Sequence, residues 1–189
     1  MADTPPDLWL ARHGDTAWTD SRQHTGLTDI PLTSAGEEAA RALAPKLGGR
    51  EYDLVLSSPL SRARETARLA GFDPVIDDRL REFDYGEYEG ITTAQIHESR
   101  PDWELWRHGS PGGESADDVG ARMDGVVERI HAEAPRCALV FGHGHALRVL
   151  AARWLGLPAV EGRVFLLGPA GVGHLGSEHG RAVVRAWGA

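Results

Sequence analysis

Apolar residues fall in short blocks divided by polar, turn-rich stretches, and the spacing inside the blocks alternates between continuous runs and a helical period. LWLA at 8–11 is a continuous run, the pattern of a strand buried on both faces. Residues 20–32 are polar and turn-rich. Ser34-x-x-Glu37 then reads as a capping box, and Ala40, Leu43, Ala44 and Leu47 follow at i, i+3, i+4 and i+7, one helix face stopped by Gly48-Gly49. Residues 53–57 predict a second strand. Ser58 as N-cap and Pro59 at the first helical position predict a helix with Leu60, Ala63, Ala67 and Ala70 inward and Gly71 at its end. PVIDD predicts a short third strand. Residues 79–113 are irregular and rich in Trp, Gly and charge, with short helices expected near 92–108. Ser115-x-x-Asp118 opens another helix, with Val119, Met123, Val126 and Ile130 inward. CALVFG at 137–142 predicts a fourth strand, and a mostly apolar helix runs from 145 to 155 before Gly156. Residues 163–167 and 181–187 predict further strands around a Gly-rich turn region.

Strands alternating with helices predict an α/β fold: a three-layer α/β/α sandwich on a mostly parallel central sheet, with right-handed crossovers. There are no internal repeats, so one domain over 1–189 is expected, with the stretch at about 79–113 as an insertion covering a site.

Composition narrows the function classes. Hydrophobic residues are 41% and charged residues 25%, as in a soluble globular protein. The net charge is −8, which gives no sign of a nucleic-acid partner. The single cysteine, Cys137, excludes an internal disulfide and reads as a small buried hydrophobe. The His-Gly-His at 143–145 is too tight for the usual helical metal pair, so no metal or cofactor is expected. MADTPPDLW is not a signal peptide, and no apolar run approaches the ~20 residues of a membrane span. The expected setting is the cytoplasm, without membrane contact.

The chemistry concentrates where strands meet helices. Arg12-His13-Gly14 follows the first strand, Arg62 lies in the first turn after the second, and His143-Gly144 follows the fourth. Singly, each has an ordinary reading: a polar turn closed by Gly14, a solvated helical arginine like its neighbours Arg64 and Arg68, a loop histidine. In a parallel sheet, however, all three junctions share one edge, where open α/β sheets bind ligands. Two guanidiniums, two imidazoles and helix N-termini at one edge suit a dianion such as phosphate.

The blocks LARHGDTAW…TGLTDIPLT, SSPLSRARETA, LREFDYGEYEG and FGHGHALR, in this order from about 8 to about 156, resemble the histidine phosphatase superfamily on its phosphoglycerate-mutase-like branch. The resemblance implies that His13 is the nucleophile that becomes a phosphohistidine. It implies that Arg12, Arg62 and His143 hold the phosphoryl oxygens and that Glu82 donates the proton. Tyr85 matches a pocket residue, and Thr25, Gly26 and Gly144 match positions lining the substrate site. Thr19 departs from the Asn often found there in mutases, and its hydroxyl offers fewer donors. Chemistry alone does not separate Glu82 from Glu87 and Glu89; the resemblance selects Glu82.

A neutral imidazole attacks a phosphomonoester dianion with less repulsion than an anion would, and splits one hydrolysis into two displacements. The arginines offset equatorial charge permanently, and a protonated His143 would do so in mildly acidic or neutral solution. The resemblance to shorter members implies a phosphatase for small metabolites, of the sugar-phosphate, sugar-bisphosphate or broad acid type. A mutase, a phosphoprotein phosphatase and a non-catalytic phosphate binder remain alternatives, and a homodimer stays open. Trp103, Trp106, Arg107 and His108 either line the far side of the pocket or, for the two Trp, pack a small lid.

Overall fold

The computed structural model describes residues 5–189. The first strand, β1 (Asp7–Arg12), is followed by a short helix, α1 (Ala17–Ser21). Next come α2 (Ser34–Arg41) and α3 (Leu43–Leu47), where the sequence predicts one helix. The break falls at Ala42, because the ring of Pro45 cannot sit against the carbonyl four residues earlier. The N-cap is Thr33, whose Oγ1 accepts from the Gly36 N–H at 3.1 Å, so Ser34 is inside the helix rather than capping it.

β2 (Leu54–Ser57) leads to α4 (Ser61–Leu69). This helix starts three residues after the expected N-cap. Ser58 is engaged elsewhere, and the cap comes from a distant segment: the N–H and hydroxyl of Ser61 both donate to Asp29 Oδ1 at 2.8 Å. Then follow β3 (Val75–Ile76), 3₁₀ turns at Asp78–Leu80 and Gly86–Tyr88, α5 (Thr93–Ser99) and α6 (Leu105–His108). The long helix α7 (Ala116–Glu133) carries the expected Ser115–Asp118 capping box and buries Val119, Met123, Val126 and Ile130 completely. β4 (Cys137–Gly142) and α8 (Gly144–Trp154) complete the parallel part.

The C-terminal part differs from expectation. Residues 163–167 form no strand: a 3₁₀ run covers Ala159–Val164. The stretch read as a Gly-rich turn is instead β5 (Val172–Glu178), paired with β6 (Arg181–Trp187). Its glycines make room rather than turns. A Cβ on Gly173 would stand 2.6 Å from the Trp187 ring, and one on Gly176 would stand 2.9 Å from Arg185 and Asp7.

The sheet order is β3-β2-β4-β1-β5-β6; the first four strands are parallel, β5 is antiparallel to β1, and β6 is antiparallel to β5. Alternate residues serve opposite faces. Leu8, Leu10, Leu54, Leu56, Ala138 and Val140 pack with α7 and α8. Ala11, Leu139 and Phe141 pack with Leu43 and Leu47 of α3 and Ala67 of α4. The crossover from β1 to β2 skips one place and β4 fills it. His13, Ser58 and His143 therefore emerge side by side: the His13 N–H bonds Gly142 O at 3.0 Å and the Ser58 N–H bonds Phe141 O at 3.1 Å.

Candidate active site

The loop after β1 is held by backbone contact. Gly14 does not have a positive φ, so the turn reading does not explain it. A Cβ there would stand 2.2 Å from the carbonyl oxygen of Gly36, and one on Gly36 would stand 2.1 Å from that of Asp15. The first turn of α2 is pressed onto the loop at a distance only two glycines permit. The Gly14 N–H donates to Thr66 Oγ1 at 3.1 Å, and that hydroxyl donates to the Arg62 carbonyl at 2.7 Å, tying the loop to α4.

This scaffold fixes His13, which is 4% exposed. Its Nδ1–H donates to the carbonyl of Gly14 at 2.6 Å. A carbonyl only accepts, so Nδ1 carries the proton and Nε2 keeps its lone pair. Burial, reinforced by Arg12 and Arg62, holds the imidazole pKa well below its ordinary value. His13 is thus a neutral imidazole with a defined tautomer.

Arg62 is fully buried. Its Nη1 donates to Thr28 O at 2.9 Å, its Nη2 to Gly26 O at 2.8 Å and Thr25 O at 3.3 Å, and its Nε to His143 Nδ1 at 3.2 Å. An imidazole nitrogen that accepts cannot carry a proton, so the His143 proton is on Nε2, which donates to Ser58 Oγ at 2.7 Å. Burial and the nearby Arg62 push its pKa well below the usual range. The expectation of a protonated His143 is therefore corrected: beside a buried guanidinium it is neutral. The His13 and His143 rings lie 5.2 Å apart at 61°. Arg12 donates from Nη1 to Leu167 O at 2.7 Å, while its buried Nε has no partner. Its guanidinium carbon would be 3.1 Å from a Cβ on Gly144, which explains that glycine.

The three glutamates separate by position. Glu87 is exposed. Glu89 accepts from the N–H groups of Gly26 and Thr28 at 2.9–3.0 Å and holds the 25–28 loop. Glu82 is buried beside the cavity and accepts from the N–H groups of Phe83 at 3.0 Å, His145 at 3.0 Å and Ala146 at 2.8 Å. Its carboxylate thus also caps α8, at the dipole end that favours negative charge.

A cavity of about 290 Å³ opens at this edge. Of the expected residues, Arg12, His13, Thr19, Thr25, Glu82, Tyr85 and Gly144 line it. Arg62, Gly26 and His143 sit behind that wall. The Thr19 hydroxyl lies 3.0 Å from that of Thr16 and accepts from the Thr16 N–H in a capping box, so it is already engaged. The Tyr85 hydroxyl meets His145 Nδ1 at 2.6 Å, and burial raises the phenol pKa well above normal. Trp103 and Trp106 pack rather than line. Trp103 Nε1 donates to Gly109 O at 2.8 Å, and Trp106 lies edge-on to Phe83 and His145. Arg107 pairs with Glu104 at the surface, and His108 Nδ1 accepts from the Glu104 N–H.

Sequence reasoning missed Trp18, Arg22, His24, His145 and Arg148 in the lining. The available signal was FGHGHALR: the second histidine and the arginine follow His143 by two and five positions, on the first turns of α8. Among the described residues, no three His, Cys, Asp or Glu side chains converge as a metal site, and no helix is long and apolar enough to cross a membrane.

Comparison with known proteins gives the family. A family model described as "Histidine phosphatase superfamily (branch 1)" matches residues 8–189. An acid phosphatase of Mycobacterium tuberculosis is 43% identical over 177 residues, covering 92% of this chain and 87% of the relative. Sedoheptulose 1,7-bisphosphatase of Saccharomyces cerevisiae is 36% identical over 190 residues, covering 83% and 70%. Among solved structures, a mycobacterial glucosyl-3-phosphoglycerate phosphatase complexed with VO3 superposes with a TM-score of 0.88 at 33% identity, covering 97% of this chain and 99% of the other.

Proposed function

The chain belongs to the histidine phosphatase superfamily, branch 1, and is a phosphatase of phosphate monoesters; from that premise we propose that it hydrolyses small phosphorylated metabolites through a phosphohistidine on His13. It works as one domain in the cytoplasm, without a metal or cofactor. The proposed catalytic set is His13, Arg12, Arg62, Glu82 and His143.

The reading rests on one observation above the others: His13 is neutral, with Nδ1 bonded to Gly14 and Nε2 unprotonated. Nε2 attacks phosphorus, the P–O bond to the leaving group breaks, and Glu82, entering this step as the protonated acid, gives that oxygen its proton and is left as the carboxylate. Glu82 then takes a proton from the water that attacks the phosphohistidine, releasing inorganic phosphate and restoring His13. Arg12 and Arg62 offset charge on the equatorial oxygens in both steps. The Arg12 Nε, buried without a partner, is one donor still to be satisfied there. His143 contributes a fixed position for Arg62 rather than a charge.

Rapid-quench reaction with p-nitrophenyl phosphate tests the proposal. A stoichiometric burst and an acid-labile phosphoryl group mapped to His13 are expected, with turnover unchanged by EDTA. His13→Ala abolishes both. Retention of most activity by that variant overturns the nucleophile assignment.

A further inference from the structure

We propose that Thr66 is a positioning residue for the phosphoryl transfer: its hydroxyl sets the loop that carries the nucleophile against the helix that carries Arg62. The proposal rests on the phosphatase reading above. It adds a residue that touches neither the substrate nor the reacting atoms.

Thr66 is fully buried in the middle of α4. The face it shares is otherwise apolar, with Ala63, Ala67 and Ala70 all buried. Threonine is a costly choice there. Its branched Cβ loses rotamer freedom in a helix, and its hydroxyl needs partners once it leaves water. Alanine, which fills the neighbouring positions on that face, carries neither cost.

The hydroxyl has two partners. Thr66 Oγ1 accepts from the Gly14 N–H at 3.1 Å and donates to the Arg62 carbonyl at 2.7 Å. Only a hydroxyl does both through one atom. The bond to Arg62, four residues back, is ordinary for a helical threonine. The bond to Gly14 spans 52 residues of chain and is what the hydroxyl adds.

Gly14 is the residue that orients the imidazole. Its carbonyl takes the Nδ1 proton of His13 at 2.6 Å, which leaves Nε2 free to attack. Gly14 is thus held by Thr66 at its N–H and holds His13 at its C=O. A glycine has the widest backbone freedom of any residue, so its aim depends on such tethers. Gly36 presses on the loop sterically but gives the Gly14 N–H no acceptor. Among the described residues Thr66 is the one acceptor for that buried N–H.

The cation does not need the same support. The Arg62 guanidinium has its own partners in the carbonyls of Thr25, Gly26 and Thr28 and in His143 Nδ1. Loss of the Thr66 hydroxyl should therefore loosen the nucleophile and leave the phosphate-holding cation in place. That split separates positioning from general support of the fold.

The test compares Thr66→Val, which keeps the branched shape and removes the hydroxyl, with Thr66→Ser, which keeps the hydroxyl. Rates are read per active site from the burst amplitude, so a smaller folded fraction does not count. In Thr66→Val the single-turnover rate of His13 phosphorylation by p-nitrophenyl phosphate is expected to fall about 10- to 100-fold. The competitive inhibition constant of inorganic phosphate should change by less than about threefold, because that contact belongs to the ground state. Thr66→Ser recovers most of the rate. In nitrogen-15 NMR, His13 of the wild type and of Thr66→Ser shows one tautomer with the proton on Nδ1, and Thr66→Val shows a mixture. A Thr66→Val rate within about twofold of wild type overturns the proposal, and so does an equal loss of rate and phosphate affinity. If Thr66→Val does not fold, Thr66→Ser and Thr66→Ala, which differ only by the hydroxyl, make the same comparison. Failure of the underlying phosphatase reading looks different: the wild type then gives no burst and no phosphohistidine.

Discussion

The inner and outer halves of the cavity are built on different principles. The inner half is closed on itself. His13, Arg62, His143 and Ser58 bond each other or nearby backbone, and two glycines set the loop by direct backbone contact. The outer half is open: Arg148 and Arg22 line it with no carboxylate in ion-pair distance among the described residues. The difference teaches how one scaffold separates tasks. Phosphoryl chemistry needs atoms fixed in advance, so the inner half spends its hydrogen bonds on the protein.

Removing the central cation of the inner half should have the largest effect. Arg62→Met leaves three loop carbonyls and His143 Nδ1 without their donor, and kcat/KM on p-nitrophenyl phosphate is expected to fall about 100- to 1,000-fold. A loss under tenfold would break the comparison, because the inner half would not then be the phosphoryl cradle.

Glu82 lies at the seam and caps α8 besides being the proposed acid, so total activity is a poor reporter of proton transfer. Glu82→Gln also weakens the α8 cap, which affects every substrate. The diagnostic quantity is the ratio of alkyl to aryl phosphate turnover. It should fall about tenfold or more, since p-nitrophenolate leaves without a proton. An unchanged ratio assigns Glu82 to capping alone.

Gly14→Ala tests the backbone contact. The added methyl meets the Gly36 carbonyl, and a stability loss of about 1–3 kcal/mol is expected in chemical denaturation. A neutral result would mean that the α2 turn yields easily and that the inner half is less fixed than described.

The smallest effect distinguishes the halves by pH. His13 and His143 of the inner half and His145 of the outer half are buried with pKa values pushed well below normal. The unfolded chain therefore binds more protons below about pH 6.5, and stability falls as pH drops through that point and is flat above it. Each histidine contributes up to about 1.4 kcal/mol per pH unit. Asp77, held at about 2 by Arg79 and Arg129, does not titrate in this window. His145→Gln should make the acid slope shallower, leaving His13 and His143 together with His24 and His174, whose pKa values burial also lowers; thermal unfolding between pH 8 and 5 measures the slope.

Much of the frame was legible because its signals are local. The apolar runs of β1, β2 and β4, the Ser115–Asp118 cap of α7 and the inward stripe after it need only their neighbours in the chain. The errors arose where a local pattern had a distant cause. Ser58 resembles an N-cap but serves His143, Asp29 caps α4 instead, and the glycines of β5 look like a turn until the Trp187 ring is placed against them. Pro45 was the exception: a local breaker overlooked beneath a convincing helical period.

The sequence by itself determined which residues arrive at the strand ends, since periodicity fixes the elements and a parallel sheet puts their junctions on one edge. The tertiary structure alone decided the protonation of those residues, which of three glutamates faces the cavity and where uncompensated charge remains. Arg62 and His143 meet across 81 residues of chain. Burial and partners at that separation are set by packing, and packing determines whether an imidazole is a cation or a neutral base.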